Sequence, residues 1–153
     1  KNEYLCKKDG SSFKRVKLPD AEKMNETPFA EGRITLSNGE NILIELLPHE
    51  LFKNSYKFKK YSLKDAFDYD TIQNVAFFRS RKEGDKADIH GGTKTLKKLF
   101  NEAKIPPHLR DGVAVLADDA GVLWIEGLGA ARRGRITEKT KTVAVVKRES
   151  LQT

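Results

Sequence analysis

Apolar and polar positions along this chain follow two periods, and the change between them marks its most unusual stretch, Phe77 to Gly112. Val75-Ala-Phe-Phe is a short apolar, β-prone run whose alternation continues through Arg79, Ser80 and Arg81, which predicts a strand. Glu83-Gly84-Asp85 breaks it. From Thr93 the period lengthens: Leu96, Leu99, Phe100 and Ala103 fall at i, i+3, i+4 and i+7, one face of a helix, with Lys94, Lys97, Lys98 and Lys104 over much of the rest. Gly91-Gly92 gives this helix a flexible approach and Thr93 an N-cap hydroxyl, with no Glu or Gln placed to close a capping box. Such a start puts Lys94 in the first turn, where a cation costs about 0.3–1 kcal/mol unless an anion comes to that end. A plainly solvated lysine is the alternative. Ile105-Pro106-Pro107 stops the helix, and a short turn from His108 to Asp111 is closed by Gly112.

The flanking pattern is mostly β. Tyr4 to Pro19 predicts one or two short strands around a turn at Lys8-Asp9-Gly10-Ser11, with Val16 and Leu18 on one side. Ala21 to Gly32, polar and interrupted by Pro28, reads as a loop. Arg33-Ile-Thr-Leu and Asn41 to Leu47, joined by Ser37-Asn38-Gly39, form the clearest hairpin, because Asn-Gly supplies the positive φ angles of a tight turn. Pro48 ends its second strand. Leu51 to Lys60 reads as an edge strand or a connector, with Phe52, Tyr56 and Phe58 either packed beside snorkelling lysines or free to stack on bases; packing is favoured. Val113 to Ala117 and Val122 to Glu126 predict a second hairpin across Asp118-Asp-Ala-Gly121, with Trp124 in the core, and Thr142 to Val146 a last strand. Ser150 to Thr153 is expected to fray.

The ordered set Arg79-x-Arg81-Lys82-x-Gly84-Asp85, a glycine loop, Lys97-Lys98-Leu99-Phe100, Lys104-Ile105-Pro106 and Arg110-Asp111 resembles the C-terminal domain of the tRNA(Ile)-lysidine synthase family, TilS. Gly121-Val-Leu-Trp-Ile125-x-Gly127 and a basic, β-prone tail continue the pattern, and Asp68-Tyr69-Asp70 looks like the aspartate-containing segment that precedes it. The resemblance covers about Phe67 to Lys147. One departure is Ala114, where the family usually has a proline soon after the Arg-Asp pair, which bears on the local loop geometry. The expected fold class is α+β: a small β-rich N-terminal part or connector over 1–66, a compact mixed domain with a β-sheet and one or two short helices over 67–149, and a tail over 150–153.

Charge sharpens this picture. The chain has 153 residues and a net charge of +7, and residues 76–153 hold 16 Lys and Arg against 10 Asp and Glu, whereas 1–75 hold 13 against 12. The basic excess lies where the resemblance lies, the footprint expected of a nucleic-acid partner, although solvated faces carry such charge too. Cys6, the single cysteine, excludes an internal disulfide and fits a reducing compartment. No apolar run approaches the ~20 residues of a membrane span and no signal peptide is visible, so a cytoplasmic protein with no membrane partner is expected. Because the chain starts at Lys1 and its one methionine is Met24, a piece of a longer protein is also expected.

Candidate chemistry is sparse. Gly127-Leu-Gly129-Ala-Ala-Arg132 follows a strand, but Arg132 replaces the third glycine of a dinucleotide fingerprint and Arg132-Arg133-Gly134-Arg135 reads as a loop. Asp68 and Asp70 lack further ligands at metal-binding spacing, and no GxxxxGK[ST] loop or nucleophile with a partnered base occurs. No catalytic and no metal residues are therefore assigned. The resemblance implies a parent enzyme that uses ATP and Mg²⁺, bound in its N-terminal catalytic domain, to join lysine to the wobble cytidine of the CAU-anticodon isoleucine tRNA. It implies for this region a grip on the tRNA acceptor stem, with the catalytic domain and a second copy of the chain as further candidate partners. The contacts nominated are Arg79, Arg81, Lys94, Lys97, Lys98, Arg110, Arg132 and Arg133, arginine suiting forked phosphate contacts and lysine acting as a movable point charge. Structural roles compete at two: Arg79 can pair with Asp85, and Arg110 can cap a helix end. The alternative function is a docking domain for an acidic protein surface.

Overall fold

Val143-Ala-Val-Val146 is apolar at every position because both faces of its strand are covered, and the whole architecture follows from that. The computed structural model describes residues 20–55 and 61–149 with side chains, and 4–9, 12–17, 56 and 57 as backbone. The strands are β1 (Tyr4–Asp9), β2 (Ser12–Lys17), β3 (Thr27–Pro28), β4 (Gly32–Thr35), β5 (Asn41–Pro48), β6 (Ala66–Asp68), β7 (Phe77–Arg79), β8 (Lys86–Asp88), β9 (Thr93–Thr95), β10 (Val115–Asp118), β11 (Gly121–Ile125), β12 (Gly129–Ala130) and β13 (Thr142–Arg148). The α-helices are α1 (His49–Lys57) and α2 (Leu96–Glu102).

Two antiparallel sheets, ordered β12-β11-β10-β7-β3 and β4-β5-β13-β6, face each other across one core. Ile42, Ile44, Phe67, Ala144 and Val146 come to it from the second sheet, and Phe78, Leu116 and Trp124 from the first. Alternation then sends Val143 and Val145 to the opposite face of β13, where they lie beside Ala66 of β6 and cluster with Phe52 of α1 and Tyr61. Likewise Val115, Val122 and Ile125 leave the first sheet on its outer face, beneath Leu96, Leu99 and Phe100 of α2 and Ala87 of the β8–β9 ribbon. The α+β expectation holds, with a helix on each outer face.

Trp124 is in the core as expected, edge-on to Phe78 with ring centres 6.3 Å apart, and its Nε1–H donates to the Lys64 carbonyl at 2.9 Å. Arg148, at the end of β13, ties the layers together. It donates through Nε and Nη2 to Glu126 (2.7 and 2.8 Å), through Nη2 to the Gly112 carbonyl (2.9 Å), and through Nη1 to Glu40. Burial works against its charge, but the Glu126 bonds and the charges of Glu126 and Glu40 raise its pKa further.

Several expectations change in detail. The 33–47 hairpin forms, but of Asn38-Gly39 only Gly39 has a positive φ (89°); the turn is a type I turn closed by a glycine bulge. Within the predicted 21–32 loop, Thr27 and Pro28 pair with Phe78 and Phe77, a proline being tolerated on this outermost strand. Leu51 to Lys60 is neither edge strand nor connector over its described part: it belongs to α1, held at its start by His49, whose N–H donates to the Lys141 carbonyl (2.9 Å) and whose Nδ1 reaches the Thr140 carbonyl (2.8 Å). Phe52 packs there, 6.3 Å from the Tyr61 ring, as favoured. The Tyr56 side chain, Phe58, the 10–11 turn, Val16 and Leu18 packing and the 150–153 tail lie outside the described residues.

Candidate nucleic-acid interface

A buried ion pair sets the geometry of the glycine-containing loop after β7. Arg79 faces Asp85 in a fork, Nη1 to Oδ2 at 2.8 Å and Nη2 to Oδ1 at 3.1 Å, and their side chains are only 10% and 13% exposed. The same carboxylate accepts the Lys82 N–H (2.7 Å), and the Asp85 N–H returns to the Lys82 carbonyl (3.1 Å), so residues 82–85 make a tight turn that Gly84 completes at φ 87°. Buried Ser80 staples two more segments: its Oγ accepts the Met24 N–H at 2.6 Å and donates to the Asp111 carbonyl. With the backbone so fixed, Lys23, Arg81, Lys82 and Lys97, with Thr95 and the acids Glu83, Asp85 and Asp111, surround a hollow of about 430 Å³.

The loop from Thr93 onward differs from expectation. Thr93–Thr95 is strand β9, and the N-cap is Thr95, whose Oγ1 accepts the Lys98 N–H at 3.2 Å. Lys94 is thus not in the first helical turn; it lies in β9 with its Nζ 3.0 Å from both Glu102 carboxylate oxygens. The reason is cross-strand pairing: Lys86, Ala87 and Asp88 pair with Thr95, Lys94 and Thr93, which holds residues 93–95 extended until Thr95. Gly91 (φ 86°) and Gly92 (φ 119°) turn the ribbon, and both N–H groups donate to Asp88 Oδ1 at 3.1 and 2.9 Å. Ala103, expected on the buried face, is the exposed C-cap, followed by Lys104 at φ 58°.

The eight nominated cations fall into three groups. Arg79 and Arg110 are spent inside: Arg110 donates from Nε to the Ile105 carbonyl (2.9 Å) and from Nη2 to Asn101 Oδ1 (2.8 Å), fastening the end of α2. Arg81, Lys94 and Arg133 are half-buried with partners. Arg81 lies 3.5 Å from Asp111 and over the Phe100 ring at 5.8 Å. Arg133 grips Asp118 with both Nη atoms and donates to the Gly121 carbonyl at 2.9 Å. Burial works to raise the Asp118 carboxyl, but bonds from Arg133, the Gln73 N–H and the Ala120 N–H, with the Arg133 charge, hold it below the usual carboxylate range. Lys97, Lys98 and Arg132 face solvent, Arg132 with 77% of its side chain exposed and its Nη1 3.9 Å from Asp88. Arg132 and Arg133 line a second hollow of about 500 Å³ with Lys86, Asp88 and Thr93.

Lys23, Lys82 and Lys86 were not nominated. Lys82 stands in the quoted motif, 3.7 Å from Glu26 with both side chains half in solvent, and was legible there. Lys23 is brought in by bonds of its neighbours, Met24 with Ser80 and Ala21 with the His108 carbonyl, which no local pattern announces. Asp68 and Asp70 are structural: Asp68 accepts the Asp70 N–H (2.9 Å) and the Thr140 hydroxyl (2.8 Å), and Asp70 the Lys141 N–H (2.9 Å). Among the described residues no group of three or more His, Cys, Asp or Glu is arranged to hold a metal, and no helix is long and apolar enough to cross a membrane.

Fold and site define a sheet-built α+β domain that turns one set of cations inward as braces and another outward to solvent. Residues 77–147 match the family described as TilS substrate C-terminal domain, and that segment of the chain belongs to the family. A solved structure described as the TILS C-terminal domain superposes with a TM-score of 0.65 at 25% identity, covering 86% of this chain and 100% of that one. Tetanus and perfringens clostridia supply two similar curated proteins, both called tRNA(Ile)-lysidine synthase. That of Clostridium tetani is 36% identical over 85 residues, 54% of this chain and 18% of the relative. That of Clostridium perfringens is 32% identical over 141 residues, 84% of this chain and 30% of the relative. The chain therefore spans less than a third of the curated relatives it matches.

Proposed function

We propose that this chain is the tRNA-gripping region of a tRNA(Ile)-lysidine synthase, holding the acceptor stem while another part of the enzyme, with ATP and Mg²⁺, joins lysine to the wobble cytidine of the CAU-anticodon isoleucine tRNA. The observation that carries the reading is the convergence of Lys23, Lys82 and Lys97 with Arg81 on one hollow from three separate segments. Of the acids beside them, Asp85 is engaged by Arg79 and Asp111 by Arg81, while Glu83 stands exposed at the rim, so the four cations outnumber the three acids. The outward cations are left to meet phosphates, the groups that A-form RNA presents together with 2′-hydroxyls and shape. Among the original nominees, Lys97, Lys98 and Arg132 are the contacts this reading keeps in direct reach. Arg79, Arg110 and Arg133 act as braces that fix where those contacts stand, and Arg81 and Lys94 sit between the two roles. The proposal assigns ATP and Mg²⁺ to the remainder of the parent enzyme.

Binding of the isoleucine tRNA, an acceptor-stem minihelix and an anticodon stem-loop, each over a range of salt, tests it. The minihelix should bind nearly as well as whole tRNA and the stem-loop should not. Affinity should fall with salt by close to one power per phosphate contact. Equal binding of the stem-loop would move the grip elsewhere on the tRNA. One observation favours docking on a protein surface instead: Leu109 is 45% exposed, an apolar side chain left in solvent. Absence of any RNA binding near physiological salt would leave that reading standing.

A further inference from the structure

The two cationic hollows share a wall, the β8–β9 ribbon. Thr95 lines the first, and Lys86, Asp88 and Thr93 line the second. Pairing puts these four residues on one face of the ribbon, since Lys86 stands opposite Thr95 and Asp88 opposite Thr93. The other face, Ala87 opposite Lys94, turns inward: Ala87 is buried with Leu96 and Leu99, and Lys94 is held by Glu102 of α2. The one acid on the outer face is occupied, its Oδ1 by the Gly91 and Gly92 N–H groups and its Oδ2 by nearby Arg132. What faces solvent is therefore two threonine hydroxyls and a lysine on a narrow two-stranded ribbon, with cations to either side.

We infer that the β8–β9 ribbon lies along the wide, shallow groove of an A-form RNA duplex, with its threonine hydroxyls on ribose 2′-hydroxyls and the flanking hollows on the phosphates of the two strands. This rests on the tRNA reading and deepens it by assigning the choice of RNA over DNA to the ribbon. The chemistry matches on three counts. The minor groove of A-form RNA is the groove that displays 2′-hydroxyls and is open enough for a ribbon. A threonine hydroxyl both donates and accepts, as a 2′-hydroxyl does. The Thr95 Oγ1 accepts from Lys98, which leaves its proton to donate outward. Gly91 and Gly92 carry no side chain at the tip, and a Cβ there would meet nothing within 4 Å, so a groove wall can approach the backbone.

The test compares binding of the chain to one acceptor-stem RNA duplex, the DNA duplex of the same sequence and the RNA duplex with 2′-O-methyl riboses. Each is measured for the parent chain, Thr93→Val, Lys86→Gln and Lys97→Ala. The RNA duplex should bind tighter than the other two, and Thr93→Val should weaken RNA binding roughly two- to tenfold, the worth of a neutral hydrogen bond, with DNA binding unchanged. Lys86→Gln and Lys97→Ala should weaken RNA and DNA alike. Thr93 is exposed, so an unchanged thermal transition is expected of the variant and separates lost contact from lost fold. If RNA is bound but DNA equally well, or if Thr93→Val leaves the RNA-to-DNA ratio untouched, the ribbon inference is overturned and the tRNA reading survives. If no duplex binds near physiological salt, both fall together.

Discussion

Asp85 joins a buried guanidinium to the turn that shapes the first hollow, and its replacement is the sharpest single-residue test. Its carboxylate neutralises a buried guanidinium and closes the 82–85 turn. Asp85→Asn keeps the shape but leaves Arg79 buried without a counter-charge, which should cost about 3–5 kcal/mol in urea unfolding. A loss below about 1 kcal/mol would mean that solvent reaches the pair and that Arg79 is available to a ligand. Asp118 makes a second, titratable brace. Its folded pKa lies below its unfolded value of about 3.9, so the stability it contributes is complete above that value and is lost as pH falls through the depressed folded pKa. Asp118→Asn should flatten the stability profile at acid pH relative to the parent chain. Asp65 works in the opposite sense: burial, only partly offset by Lys147, raises its pKa, so its ionisation opposes folding as pH rises through the carboxylate range.

At the scale of elements, the basic turn Arg132–Gly134 shows how closely the cationic surface is tied to the core. A Cβ on Gly134 would come within 2.6 Å of Leu123 Cδ1 and 3.1 Å of its carbonyl oxygen, both belonging to a buried central strand. Gly134→Ala should therefore displace the turn and destabilise the fold by about 1–3 kcal/mol, with Arg132 and Arg133 moved from their hollow. Calorimetry reads the first effect and RNA affinity the second; an unchanged melting temperature would show that Leu123 can yield. Both main hairpins, the last strand, the Trp124 core position and the apolar face of α2 were legible in the sequence because their signals are local: turn residues and strict periods. α1 was not, since charges and aromatics interleave through Leu51 to Lys57 without a clean period and its start is secured by Thr140 and Lys141 far along the chain. The N-cap of α2 moved from Thr93 to Thr95 for a similar reason, a pairing with β8 that propensity does not encode. Ala114 in place of the family proline also gains an explanation: its N–H donates to Glu126 Oε1 at 3.0 Å, a bond that proline cannot make. The candidate site was legible as a set of cations but not in its division of labour, because whether an arginine faces water or an aspartate is settled by packing.

The whole molecule poses the question of which residues make a folding unit. The family match begins at residue 77, and sequence reasoning placed the domain at 67–149, yet both sheets draw strands from before that point. β13 lies between β5 and β6 and pairs with β5 over its full length, from Thr142↔Pro48 to Arg148↔Ile42, while β7 lies between β10 and β3. Met24, Leu36, Ile42 and Ile44 fill the core shared with Phe78, Leu116 and Trp124. Cutting the chain at 67 would open one side of β13, expose that core to water and remove Glu40 from Arg148 and Met24 from Ser80. A fragment of 67–149 is accordingly expected to lack a cooperative thermal transition and the near-ultraviolet signature of a packed Trp124, whereas 20–149 should show both. The solved relative points the same way, since it covers 86% of this chain rather than the matched segment alone. A sharp transition for 67–149 would overturn this and make the first half an appendage. The outcome also bears on binding, because Lys23 belongs to the cationic hollow and is placed there by the first half: a fragment that folded without it would have to grip RNA with a weaker and less salt-sensitive surface.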